Sequence, residues 1–229
     1  MSSFDTVNPP DDPFDQIAAM VDHTAERVAK RHYMSPTQEH QLSAKLADAI
    51  EHQVEELLSV PGGLEVSVQD FPEKASKWEK ATGADLYVST VRTDAMDDPF
   101  SKGMLVQSKW DRTFDPLDPK LREQCRKMIE RSPSSSYVWI FRPDHVYSVK
   151  AEDVLSYKQI IPVQTVGRQI ADGLRCTQGD HSIGRNTALP LPESLNEVMR
   201  DLAVERVLEF RMTKPLLKPK RAPRRRKTR

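Results

Sequence analysis

The sequence predicts an α/β fold, a mixed central β-sheet flanked by helices, and three observations predict it. Tyr137-Val138-Trp139-Ile140-Phe141 is a near-continuous apolar run one strand long, as expected of a central strand buried on both faces. Shorter runs around Val88 and Val106 combine apolar and β-branched residues in the same way. Segments with helical periodicity separate these runs, giving the order α-β-β-β-α-β-β.

The elements follow in chain order. Ile17, Met20, Val21, Thr24 and Val28 recur at helical intervals, so a first amphipathic helix is expected over Asp15 to Lys30. Ser35, Pro36 and Gln38 form a capping box with proline at the first helical position. From there Leu42, Leu46, Ala49, Ile50, Val54, Leu57 and Leu58 make an apolar stripe that ends at Pro61-Gly62-Gly63. Leu64 to Val68 alternates like a strand, and Ala84 to Val91 and Gly103 to Trp110 are the next two. Pro116 to Ser132 reads as a helix through Leu121, Cys125, Met128 and Ile129. After the central strand, His145 to Val149 alternates as an edge strand. Val166 to Leu174 reads as a short helix, and Glu193 to Arg211 as a long amphipathic one through Leu195, Val198, Met199, Leu202, Val207 and Leu208. These elements divide the chain into an acidic, disordered arm (1–14), an α/β domain (15–160), a helical C-terminal extension (161–212) and a basic, disordered tail (213–229).

Composition narrows the function classes. The chain has 229 residues, 38% hydrophobic and 30% charged, enough for a sizeable core under a heavily solvated surface. Its formal charge of zero conceals an asymmetry. Residues 214–229 hold nine Lys or Arg and no acid, leaving 25 basic against 34 acidic residues in the body. A basic tail on an acidic body hints at an anionic partner. Cys125 and Cys176 have no metal-ligand spacing and read as reduced thiols. No signal-peptide core and no apolar run near the roughly 20 residues of a bilayer span are present, so a soluble cytoplasmic protein without a membrane partner is expected.

The chemistry centres on Gly83-Ala84-Asp85-Leu86 and Gln107-Ser108-Lys109. Residues two apart on a strand share a face, so Gln107 and Lys109 emerge side by side. If the two strands are neighbours, a carboxylate, an amide oxygen and an ammonium meet at one place. A hard cation such as Mg²⁺ takes oxygen ligands of this kind.

An acidic residue opening one strand and a Q-x-K closing the next resembles the PD-(D/E)XK nuclease superfamily, whose fold is restriction-endonuclease-like, in a variant with Gln for the usual Glu. The resemblance runs from about Ser35 to Val154. It implies a metal-dependent endonuclease hydrolysing DNA phosphodiesters, a restriction or phage-defence effector being one form, with Mg²⁺ or Mn²⁺ as cofactor. Asp85, Gln107 and the Ser108 backbone carbonyl would be metal ligands, and Lys109 would serve the attacking water. A further carboxylate from the preceding helix is implied. At about 100° per residue, Glu51 borders the apolar stripe, with Glu55 about 40° further out and Glu56 at the other edge, so Glu51 leads; Glu79 is a candidate from the loop. Lys102, Arg112 and Lys120 are candidate phosphate contacts. In the tail, Arg224, Arg225, Arg226 and Lys227 would bind nucleic acid, with DNA the expected polymer, without sequence preference. Two other readings stand beside the enzyme. One is an inactive nuclease-fold protein that binds nucleic acid; the other is an interaction module whose last helix docks a partner or forms a homodimer.

Overall fold

The computed structural model describes residues 12–34, 38–57, 61–71, 79–93, 99–156 and 164–213. A seven-stranded mixed sheet is flanked on both faces by helices. The helices are α1 (Pro13–His32), α2 (Glu39–Glu55), α3 (Glu79–Thr82), α4 (Pro119–Arg131), α5 (Ala151–Ser156), α6 (Val166–Leu174) and α7 (Leu191–Leu202). The strands are β1 (Leu64–Asp70), β2 (Leu86–Arg92), β3 (Phe100–Trp110), β4 (Ser136–Phe141), β5 (Val146–Lys150), β6 (Gln164–Thr165) and β7 (Arg206–Met212), in the sheet order β1-β7-β2-β3-β4-β5-β6.

Alternation along the strands builds two core layers. Leu86, Val88, Met104, Val106, Trp110, Trp139, Phe141, Leu208 and Phe210 pack with α1, α2 and α6. Tyr87, Leu105, Val138, Ile140 and Val207 pack on the other face with α4, α5 and α7. Every residue of β4 is buried, as the apolar run requires of a strand covered on both sides.

Helix ends follow local chemistry. Asp12 accepts a hydrogen bond from the Phe14 N–H at 3.0 Å and caps α1, with Pro13 at the first helical position. Asp12 and Pro13, inside the expected acidic arm, thus belong to the start of this helix. Asp118, accepting from the Lys120 and Leu121 N–H groups, starts α4 at Pro119 rather than at Pro116. The expected cap at Ser35 and Pro36 and the basic tail with Arg224, Arg225, Arg226 and Lys227 lie outside the described residues.

Two expectations are corrected. The long helix over Glu193 to Arg211 does not exist as one element. It stops at Leu202, where Ala203 turns left-handed with φ 48° and the Val204 N–H reaches back to the Met199 carbonyl at 3.0 Å. Residues 206–212 then form β7, which runs antiparallel to β1 and parallel to β2 and so lies between them. The region expected to be a helical extension therefore supplies an interior strand. The apolar side of α7, through Leu195, Val198, Met199 and Leu202, is buried in its own core, which removes the argument for that helix as a docking surface. The second correction concerns β5, which is not the edge, because the two residues of β6 pair outside it.

Candidate active site

The site forms where β2 begins and β3 nears its end. Antiparallel register sets Leu86 opposite Val106, and the Asp85 N–H extends the ladder to the Val106 carbonyl at 2.8 Å. The next pair across is therefore Asp85 and Gln107, on one face of the sheet. By alternation with Leu105, Gln107 and Lys109 point to the α4 side. Gly83, just upstream, has φ +75° and sits so close to α4 that a Cβ there would come within 2.6 Å of the Gln124 backbone. Only glycine meets both demands, and this brings the chain into β2 at the right height for Asp85.

Asp85 Oδ2 accepts from Gln107 Nε2 at 2.7 Å and from the Ser108 N–H at 2.9 Å. Gln107 Nε2 also donates to the Ser108 carbonyl at 3.3 Å. The carboxylate, the amide and the backbone carbonyl read as metal ligands from the sequence thus converge on one spot. Gln107 is 3% exposed, and its Oε1 has no hydrogen-bond partner among the described residues. A buried amide oxygen without a partner forfeits about 1–3 kcal/mol of hydration. Half a turn about χ3 would exchange the positions of Oε1 and Nε2, and a shared cation would then replace the hydrogen bond to Asp85. That orphaned oxygen beside a half-buried carboxylate is the donor chemistry of a small hard cation.

Lys109 is 7% exposed, and its Nζ lies 2.7 Å from Glu39 Oε2. The other oxygen of Glu39 accepts from the Trp110 N–H at 3.4 Å and from the Thr113 hydroxyl. Glu39 therefore fixes the ammonium and ties the end of β3 to the first turn of α2. The same spot lies near Cys125 on α4, where burial pushes the thiol up to about 12 against the opposing pull of Arg122 and Lys109.

Glu51, the leading helix carboxylate in the sequence, is not part of this cluster. Its Oε1 accepts from the Val68 N–H of β1 at 2.8 Å. Two strand spacings separate β1 from β2, roughly 10 Å, so Glu51 caps an edge strand instead. Glu55 and Glu56 lie beyond it at the C-terminal end of α2, and the side chain of Glu79 is outside the described residues. The carboxylate that α2 does bring to β3 is Glu39, which the sequence reading missed. A usable signal was present: Glu39 precedes Leu42 by three residues and Leu46 by seven, in line with the buried stripe rather than beside it.

No family model, curated protein or solved structure matches this chain. No cluster of three or more His, Cys, Asp or Glu placed to hold a metal occurs among the described residues. The fit to a cation rests on oxygen donors of mixed type, an amide and a carbonyl beside a single acid. No described helix is long and apolar enough to cross a membrane.

The other basic candidates divide. Lys102 is buried and donates to the Cys176 carbonyl at 2.9 Å, so it serves the fold. Arg112 donates to the Tyr33 carbonyl at 2.6 Å and lies 5.1 and 5.2 Å over the rings of Tyr33 and Trp110. Trp110, 2% exposed, packs edge-on against Tyr33 and Phe141. Lys120 is exposed at the start of α4.

Proposed function

We propose that this protein is a metal-dependent nuclease of restriction-endonuclease-like type, hydrolysing nucleic-acid phosphodiesters at Asp85, Gln107 and Lys109. The observation that carries the reading is the 2.7 Å contact between Asp85 and the Gln107 amide, on the sheet face that also presents Lys109. Asp85 would hold Mg²⁺ or Mn²⁺ with a charged oxygen, Gln107 with its amide oxygen and Ser108 with its backbone carbonyl. When bound, the cation polarises the scissile phosphate and offsets charge on the attacking and leaving oxygens. Lys109 supplies an ammonium that hydrogen-bonds a water or a phosphate oxygen as negative charge grows there. Glu39 keeps that ammonium oriented, and burial excludes competing water. Gln in place of Glu removes one negative charge from the ligand set, so metal affinity is expected to be weaker than with two carboxylates.

The test is incubation of the full chain with supercoiled plasmid, linear duplex and single-stranded RNA in Mg²⁺, in Mn²⁺ and in EDTA. Cleavage that needs metal and falls at least 100-fold in both Asp85→Asn and Lys109→Ala is the expected result. No cleavage of any substrate, or cleavage unchanged in Lys109→Ala, overturns the reading.

A second reading has a specific observation in its favour. Asp85 Oδ2 is already engaged by Gln107 Nε2 and the Ser108 N–H, and Lys109 is neutralised by Glu39, so the charged groups of the cluster have partners without a metal. A nucleic-acid-binding protein lacking turnover fits that arrangement. Nucleic-acid binding without cleavage and without calorimetric Mg²⁺ binding would select it.

A further inference from the structure

A groove of about 510 Å³ runs between α1 and α2. Arg27, Val28, Arg31 and His32 line one wall, and Lys45, Asp48, Ala49 and His52 line the other. The spacing is that of two facing helical stripes, i, i+4 on α1 and i, i+3, i+4, i+7 on α2. Five of the eight residues are basic or imidazole, on a body with an excess of acid.

Of these five, His52 has an acidic neighbour, its Nε2 lying 3.2 Å from Glu56 Oε1, and the uncompensated cations among the described residues are Arg31 and Lys45. Asp48 is the one carboxylate in the lining, and Arg206 Nη1 engages it at 2.9 Å. Arg27 donates to the neutral Gln53 amide at 2.9 Å. Arg31 and Lys45 have no ion pair among the described residues. His32 is held below the usual imidazole range by burial first, then by Lys45 and Arg31. Cations gathered in a concave site raise the local potential for anions and cost stability until an anion arrives.

We propose that this groove binds the phosphodiester backbone of a nucleic acid. The choice of polymer rests on the nuclease reading above, and the geometry of α2 links the two sites. Glu39 at the start of α2 holds Lys109, and at 1.5 Å per residue Lys45 lies about 9 Å and His52 about 20 Å further along the helix. Some 20 Å is the axial length of about six nucleotides of a duplex strand. A backbone lying along α2 past Lys45 would round the end of β3 at Glu39 and Lys109 to reach Asp85 and Gln107 on the α4 side. The groove's contacts are to phosphate, so they position the polymer without reading its sequence.

The test is fluorescence anisotropy of a labelled 20-base-pair DNA duplex with the full chain in EDTA, titrated from 50 to 200 mM salt. The Arg31→Glu/Lys45→Glu double variant is expected to bind about tenfold more weakly at 100 mM salt. Its slope of log affinity against log salt should be shallower by about two. The neutral Arg31→Gln/Lys45→Gln pair should give an intermediate loss with an unchanged thermal melt, separating binding from folding. Arg126→Glu/Arg131→Glu on the exposed side of α4 should leave the slope within 0.5 of wild type on correction for net charge. An unchanged slope in both groove variants overturns the proposal, even if wild type cleaves. Displacement of the duplex by poly-glutamate at equal charge concentration would overturn the assignment to nucleic acid. Absence of cleavage with a groove-dependent slope would instead overturn the nuclease reading and leave the groove standing.

Discussion

Replacing Glu39 by Gln isolates the contact on which the orientation of Lys109 depends. The substitution keeps the shape and an acceptor oxygen but removes the charge 2.7 Å from Lys109 Nζ. A hydrogen bond between charged groups contributes about 1.5–3 kcal/mol. The Lys109 side chain is 9% exposed but that of Glu39 is 25% exposed, so solvent screens part of the interaction. About 1–2 kcal/mol remains, equivalent to a fall in Tm of roughly 3–6 °C for a domain of this size. The assay is urea unfolding followed by tryptophan fluorescence, in a double-mutant cycle of Glu39→Gln, Lys109→Met and both. The expected coupling energy is about 1–2 kcal/mol. Coupling below about 0.3 kcal/mol, or a Glu39→Gln variant as stable as wild type, would refute the view that Glu39 anchors the ammonium. If the nuclease reading holds, Glu39→Gln should also slow cleavage, by less than Lys109→Ala does.

Three further outcomes are expected. Ala203→Gly should raise stability by about 0.5–1 kcal/mol in denaturant titration, because φ 48° costs alanine about 1–2 kcal/mol and glycine's looser unfolded state returns part of that gain; a destabilised variant would contradict the left-handed cap. Arg185→Met should cost about 3–5 kcal/mol, since it strands Glu209, 1% exposed, without its guanidinium and, among the described residues, with the Ser89 hydroxyl at 3.0 Å as its remaining donor. Adding Glu209→Leu should recover most of that loss, and a calorimetric Tm unchanged in the single variant would contradict the buried pair. At pH 8 a disulfide reagent should label exposed Cys176 quickly and Cys125 slowly, because burial raises the Cys125 thiol to about 12 and keeps it protonated well above the pH at which a free thiol ionises. Equal rates for the two thiols would contradict that placement.

Much of the sheet could be read from residue pattern, because each readable strand carries its own punctuation. Tyr137 to Phe141 is apolar without interruption, and Val88 and Val106 centre β-branched runs bounded by glycine or by polar loops. The pairing of Asp85 with Gln107 was accessible for the same reason, since period-two alternation fixes a face once two strands are neighbours. β7 was hidden. Val207 and Leu208 continue the spacing of Leu195, Val198 and Leu202, and Ala203 makes a left-handed turn that glycine usually announces. Glu209 completed the disguise: an acid in an apolar stretch suggests a solvated helix face, whereas here it is buried against Arg185 and Ser89. Glu39 opens α2, whereas Glu51 and Glu55, the acids that border the stripe nearest to β1 in sequence, lie at its other end. The position of a carboxylate around the helix says nothing about which end of the sheet that turn meets.

The late arrival of β7 orders events in the life of the chain. Tyr87 finds its neighbour Val207 120 residues downstream, and among the described residues β1 pairs with β7 alone. Until residues 206–212 are available, β1 cannot join the sheet and β2 presents an open row of backbone donors and acceptors that another molecule could occupy. Such distant pairing slows folding and lengthens the exposure. A nascent or proteolytically clipped chain ending near Ala203 would therefore hold Asp85 on a frontier rather than inside the sheet, and chaperone dependence and self-association would rise together at that length.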